Sequence, residues 1–310
     1  MVRTNLTAKR LVVLLGVLML TLGFLAGCGG TSSSSDRIRV GSKDFTEQLI
    51  LGQITLLALE DAGFEVEDRT NVAGSEQVRS ALLNSEIDVY WEYTGTGWLM
   101  HLQNDEAITN PQEAYDRVKE ADLENEIVWL DYAPFNNTYT IMMNRDQSEE
   151  LGIRTISDMA DYVNQNPGSF SFGADHEFTA RPDGLPALED EYGFELEGDS
   201  LKVMDIGIVY RTLRDRQVDS GMGFATDGRI EAFDFVNLED DKQFFPVYNP
   251  SALLRTDTLE EHPELADVLN RLAAELDNES MIMMNYQVDI EEMEPREVAE
   301  NWLKEKGLIE

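Results

Sequence analysis

"DVYWEYTGTGW", Asp88 to Trp98, sets four aromatic residues and two Thr-Gly pairs within eleven positions. Alternation along a strand puts Val89, Trp91 and Tyr93 on one side and Asp88, Tyr90 and Glu92 on the other. The "TGTG" turn ends the strand and opens a helix at Trp98. Strand, bend and helix in succession are the repeating step of an α/β sheet, and open sheets of this kind bind ligands in the loops after their strands. Free backbone N–H groups at a helix start favour an anion there, while aromatic faces favour a cation. The stretch therefore reads as plain aromatic core or as one wall of a site for a zwitterion.

The same alternation extends in both directions. "RIRVGS" reads as a strand and "DFTEQLILGQITLLALEDAG" as a largely buried helix, with Asp44 and Glu47 at capping-box spacing and Gly63 at its end. The strand "FEVEDRT" leads to Gly74 and Ser75, which suit the cap of the helix "EQVRSALLNSE". Asn110 and Pro111 open a further helix, and "NNTYTIMMNRD" reads as a long strand. A second alternating set runs from the helix "SDMADYVNQ" to the strand "SGMGFA", enough for a second α/β domain. Near the carboxyl end, Leu265, Val268, Leu269, Leu272 and Leu276 form one apolar helical face, which is core.

The 310 residues, 42% of them hydrophobic, suffice for a sizeable core divided into two domains. The first residues differ from the rest: Arg3, Lys9 and Arg10 precede an apolar run of 17 residues, Leu11 to Gly27, and then Cys28. A positive start, an apolar centre and small residues at the exit describe an export signal over residues 1–27. The run is also at the lower edge of what spans a bilayer, so a retained anchor is the alternative. "LAGC" resembles a lipobox; in that reading Cys28 carries a lipid and residues 28–37 form a flexible tether. Cys28 is the only cysteine, which rules out a disulfide within the chain and argues against a catalytic thiol.

Of 24 basic residues three lie in the signal, so the remainder sets 21 against 60 acidic residues, a net charge near −39. Such a surface repels nucleic acid and anionic lipid. The acid is spread through hydrophobically patterned segments, which suits a folded protein in very high salt, where the Debye length is ~3 Å at 1 M. Seven lysines against 17 arginines fit that halophilic habitat.

Two basic residues stand out. Lys43, in "GSKDFTEQ", sits between a strand and a helix start, as a ligand-facing cation or a solvated charge. Arg181, in "HEFTARPDGLP", can fork onto a ligand carboxylate or form a local salt bridge with Asp183 or Glu177. His101, His176 and His262 lie far apart without metal-ligand spacing, and there is no P-loop, dinucleotide fingerprint or GxSxG elbow. No metal, no cofactor and no enzymatic activity are expected.

Taken together, "VGSKDFTEQLILGQ", "ALLNSEIDVYWEYTGTG", "TARPDGLP", "RQVDSGMGFATDGRI" and "MNYQVD...PREVAENWLKEKGL" resemble the substrate-binding lipoproteins of ABC importers for quaternary amines, the glycine betaine, carnitine and choline group. The resemblance covers essentially the whole mature chain. It implies a two-lobed α/β periplasmic-binding-protein fold of type II, with two crossover strands at the hinge, near Asn137 to Met143 and near Phe244 to Tyr248. Lobe I is expected to comprise residues 38–138 and 247–310, and lobe II residues 139–246. The resemblance further implies an ammonium cage of Tyr93, Tyr139, Phe224 and Tyr248, carboxylate partners Lys43, Thr96 and Arg181, and a lesser role for Asn137, through its backbone carbonyl against the ligand's methyl groups. Many relatives have tyrosine where this chain has Phe224, which keeps the ring face but loses a hydroxyl.

The implied function is capture of glycine betaine or proline betaine outside the cell, by a monomer anchored to the outer face of the membrane, for an ABC permease and its ATPase. Choline lacks the carboxylate and would leave Lys43 and Arg181 unpaired, which favours a betaine. Choline, carnitine or ectoine in the same fold, an enzyme on the bilobal scaffold and a solute sensor are the alternatives.

Overall fold

The computed structural model describes residues 37–196 and 198–310. The expected signal, Cys28 and the tether up to Asp36 lie outside them. Among the described residues no helix is long and apolar enough to cross a membrane.

Ten strands are described: β1 Arg37–Lys43, β2 Glu65–Val72, β3 Val89–Tyr93, β4 Ile127–Tyr132, β5 Tyr139–Asn144, β6 Phe172–Ala174, β7 Leu201–Val203, β8 Ser220–Phe224, β9 Phe235–Asn237 and β10 Pro250–Arg255. They form two five-stranded sheets, ordered β2-β1-β3-β10-β4 and β7-β6-β8-β5-β9. In the first, β1 runs parallel to β3 with Val40 opposite Val89, and β10 is antiparallel to both β3 and β4. In the second, β6 is parallel to β7 and β8, and β5 is antiparallel to β8 and β9. The two sheets thus share one plan. In each, the fourth strand is the one the chain enters on crossing from the other sheet, and it opposes both neighbours. Helices between the parallel strands make the lobes α/β, as the alternating pattern requires.

The opening stretch explains the centre of the first lobe. All five residues of β3 are buried, because the strand lies between β1 and β10 with layers on both faces. Val89 and Trp91 pack with Ile50, Ile54 and Leu254, whereas Tyr90 packs on the other face with Val118, Trp129 and Leu253. The expected alternation is therefore present. The helical turn begins at Thr94 instead of Trp98, with Thr94–Thr96 followed by a π-helical turn, Gly97–His101. The two glycines serve close approach. A Cβ on Gly95 would lie 2.8 Å from the Tyr248 ring and 2.9 Å from the Val247 carbonyl oxygen, and one on Gly97 would collide with the Trp129 ring.

The helix Thr46–Asp61 is buried almost all round, so any polar residue on it needs a partner inside the protein. The capping box expected from Asp44 and Glu47 does not form. Phe45 is the N-cap with no side-chain cap; Asp44 lies one residue too early, and Glu47 turns inward. At Asn110 the expectation holds: its side chain accepts from the Glu113 N–H and Pro111 opens the helix. Leu265, Val268, Leu269, Leu272 and Leu276 are all buried in the first-lobe core.

Two segments cross between the sheets, one after β4 and one before β10. They are hydrogen-bonded to each other: the Asn137 N–H donates to the Tyr248 carbonyl (3.1 Å), the Tyr248 N–H to Asn136 Oδ1 (2.7 Å) and Thr138 Oγ1 to the Pro246 carbonyl (3.2 Å). Phe244 to Tyr248, expected as a crossover strand, is irregular and joins neither sheet. Pro246 has no N–H to give a ladder, and neighbouring groups are spent on the other crossing. Asn137 and Thr138 belong to the first crossing; β5, which follows from Tyr139, lies wholly in the second sheet.

Candidate functional site

A cavity of about 880 Å³ opens between the two lobes. Lys43, Tyr93, Thr96, Asn137, Tyr139, Arg181, Phe224 and Tyr248, the eight expected ligand residues, all line it. Lys43 ends β1, Tyr93 ends β3 and Thr96 sits in the helical turn, so the first lobe offers the ends of two neighbouring parallel strands. Tyr139 begins β5 and Phe224 ends β8, two residues opposed in the antiparallel ladder. Asn137 and Tyr248 come from the crossings.

The rings form a connected group. Tyr139 lies 5.4 Å from Phe224 and 5.5 Å, edge to face, from Tyr248. Phe45, which the sequence reading did not select, stacks on Phe224 at 5.1 Å and on Tyr93 at 6.3 Å and also lines the cavity. Its signal was its place two residues after Lys43 in "GSKDF". Burial pushes the phenols of Tyr93, Tyr139 and Tyr248 well above their ordinary range, so all three stay neutral. Tyr90 and Trp91 are core, and Trp98 packs beside Ile108, Ala114 and Val247.

The charges are arranged differently from the expectation. Lys43 is no solvated charge: it is 4% exposed, and its Nζ donates to Glu92 Oε1 at 2.6 Å. Glu92 also accepts from the Tyr93 N–H at 2.7 Å and bonds His101 Nε2 at 3.0 Å. Burial alone would raise the Glu92 carboxyl, but Lys43 and His101 outweigh it and hold the pKa at about 2. Arg181 lines the cavity and also makes both local pairs: Nε and Nη2 fork onto Asp183 at 2.7 and 2.6 Å, and Nη1 donates to Glu177 at 3.0 Å. Its Nη2 reaches Thr96 Oγ1 at 3.3 Å, and Tyr248 Oη donates to Asp183 at 2.8 Å.

Both cations therefore have carboxylate partners within the protein, so a ligand without a carboxylate strands neither of them. That removes the charge argument against choline. What the pair offers a ligand carboxylate is spare hydrogen-bond capacity: Lys43 has three donors and one bond to Glu92, and four of the five Arg181 N–H groups are committed. Asn137 is similarly half used. Its Nδ2 donates to Glu47 at 2.9 Å, while Oδ1 is buried without a partner among the described residues.

The lobes touch on two sides of the cavity. Ser75, at the start of the helix Ser75–Leu83, gives Glu177 its N–H (3.1 Å) and hydroxyl (2.6 Å), where the helix terminus favours a carboxylate. Elsewhere on the cavity lining, Arg229 forks onto Asp227 and comes within 3.3 Å of Asp289. Burial raises the Asp289 carboxyl to about 6 despite Arg229.

Residues 36–305 match the family described as the substrate binding domain of the ABC-type glycine betaine transport system. The chain belongs to this family. A glycine-betaine-binding protein of Pseudomonas aeruginosa is 38% identical over 283 residues, 90% of each chain. The glycine betaine-binding protein YehZ of Escherichia coli is 34% identical, covering 93% of this chain and 96% of that one. The crystal structure of a glycine betaine/carnitine/choline ABC transporter protein superposes with a TM-score of 0.70 at 28% identity, over 88% of this chain and all of the other. The fold is accordingly the two-lobed type II periplasmic-binding-protein fold. Members of this family are binding components of transport systems, which work outside the cytoplasm.

Proposed function

We propose that the chain binds a quaternary-amine compatible solute, glycine betaine or proline betaine first, outside the cell and delivers it to an ABC permease. The observation that carries this reading is the convergence of Tyr93, Tyr139, Phe224, Tyr248 and Phe45 on one cavity beside Arg181, Lys43 and Thr96. A quaternary ammonium has no N–H to donate, so only ring faces and polarised C–H contacts recognise it, each desolvated ring being worth on the order of 2 kcal/mol. The backbone carbonyl of Asn137 suits the ligand's polarised methyl groups as a weak acceptor. Thr96 and the spare donors of Arg181 and Lys43 suit the carboxylate. Ser75 and Glu177 meet across the cavity mouth, a contact that supports domain closure on the ligand.

The same reading has lobe I at residues 38–138 and 247–310 and lobe II at 139–246. It has Cys28 lipidated after signal removal, a monomer on the outer membrane face and a surface adapted to high salt. It involves no catalysis. Calorimetric titration in multimolar salt tests it: heat and a raised melting temperature are expected with a betaine, and neither effect with glycine betaine or proline betaine would overturn it. Mass spectrometry of the native chain tests Cys28. One observation favours a second reading, choline or carnitine in the same cavity: the internal pairing of Lys43 and Arg181 leaves no charge stranded when the carboxylate is missing. A competition series separates the two.

A further inference from the structure

At the hydroxyl end of Tyr93 stands a carboxyl group with no role in the site so far. Glu47, in the first turn of the helix Thr46–Asp61, is 2% exposed. Its Oε1 accepts from Tyr93 Oη at 2.7 Å and Asn137 Nδ2 at 2.9 Å; its Oε2 accepts from Thr226 Oγ1 at 2.5 Å and Asn285 Nδ2 at 3.3 Å. These donors come from the end of β3, the first crossing, the turn after β8 in the other lobe, and the helix Asn278–Asp289. Four donors fill the four lone-pair positions of an ionised carboxylate. All four are neutral side chains.

A buried carboxylate held only by neutral donors is an expensive arrangement unless a cation completes it. Burial pushes the Glu47 carboxyl above its ordinary range, against the pull of its four hydrogen bonds. Glutamine would avoid the charge, but its amide N–H₂ placed at the Oε2 position would meet the donor of Asn285. Asn285 is not free to turn over, since its Nδ2 also donates to the Thr226 carbonyl at 2.9 Å. The surroundings of Oε2 are therefore built for an acceptor. Two of the four donors, Tyr93 and Asn137, themselves line the cavity.

We propose that Glu47 is the positioning residue of the ammonium site: it fixes the Tyr93 ring through its hydroxyl and supplies, from the hydroxyl end of that ring, a negative charge for the ligand's cation. The inference rests on the quaternary-amine reading of the cavity. A phenol that donates to a carboxylate has a more electron-rich ring, which strengthens its attraction for a cation. The Thr226 bond adds a link to the second lobe, so the Glu47 network is complete only with the lobes together.

A double-mutant cycle in the full chain tests it, with glycine betaine affinity and melting temperature measured for wild type, Glu47→Gln, Tyr93→Phe and the double variant. Each single change is expected to weaken binding at least tenfold, and the double variant to bind no more weakly than the worse single one. Wild-type affinity in Glu47→Gln, or losses that multiply in the double variant, would overturn the proposal; the latter would mean that Glu47 acts only through general stability. Should Glu47→Gln not fold, Thr226→Val replaces it in the cycle under the same two criteria. A wild-type chain that binds no quaternary amine removes the functional reading and this inference together. A wild-type chain that binds betaine beside an unaffected Glu47→Gln removes this inference alone.

Discussion

Lys43 and Glu92 form a buried ion pair, 2.6 Å from Nζ to Oε1, with the Lys43 Nζ 5.1 Å from the centroid of the Tyr93 ring. The pair fixes where the cation sits and keeps it from being a free charge waiting for a ligand.

Replacing Glu92 by Gln should destabilise the fold by roughly 3–5 kcal/mol, because it leaves Lys43 buried without its partner. The pKa of about 2, against an ordinary 4.5, corresponds to roughly 3 kcal/mol of native stability. A depressed carboxyl contributes fully above pH 4.5 and loses its contribution as pH falls toward 2. Acid titration followed by circular dichroism should show wild type losing stability in that window and Glu92→Gln losing much less.

Asp175 titrates with the opposite sign. Burial raises its carboxyl from 3.8 to about 6, so the folded state holds the proton more tightly, and stability falls as pH rises from 3.8 to 6. Asp175→Asn keeps an N-cap acceptor for the Phe178 N–H. It should be more stable than wild type at pH 7, by up to roughly 3 kcal/mol, and no more stable below pH 3.5. Urea midpoints across this range check it; equal gains at both ends contradict it.

Phe45→Ala should reduce betaine affinity tenfold or more, since it removes the ring that stacks on both Tyr93 and Phe224. Phe45 is only half buried, so the melting temperature should fall less than in Glu92→Gln. Calorimetry and thermal melts on one preparation distinguish these effects.

Arg181→Ala removes the partner of Asp183 and Glu177 and a donor to Thr96. It should cost roughly 3–5 kcal/mol of stability and weaken betaine at least tenfold more than choline. Equal losses for the two ligands contradict a carboxylate role.

Much of this was legible because strands and helices mark themselves by period. Val89, Trp91 and Tyr90 could be sorted onto two faces from alternation alone, and Leu265 to Leu276 formed one face at helical spacing. Lys43, Tyr93 and Thr96 were legible because they end a strand or follow one, where sheets of this kind place their ligands, whereas Asn137, Tyr139, Phe224 and Tyr248 were reached only through the family resemblance. What was hidden was pairing. Nothing local links Lys43 to Glu92, 49 positions away. The start at Thr94 was missed because Gly95 and Gly97 read as a bend, whereas the contacts with Tyr248 and Trp129 that require them are long-range. Glu47 was read as a cap for the same reason: its partners at 93, 137, 226 and 285 converge only in the fold. Arg181 was the exception, since Asp183 and Glu177 are close enough in sequence to be anticipated.

The two crossings that join the lobes also carry two of the rings that line the cavity. Tyr248 lies in one crossing and Tyr139 begins where the other ends, with the backbones of the two segments bonded side by side. A bend of that two-ply ribbon between the two rings would change the angle at which they meet. Opening the mouth would therefore dismantle part of the site as it exposes it, so a permease that levers the lobes apart would discharge the cargo without competing for it.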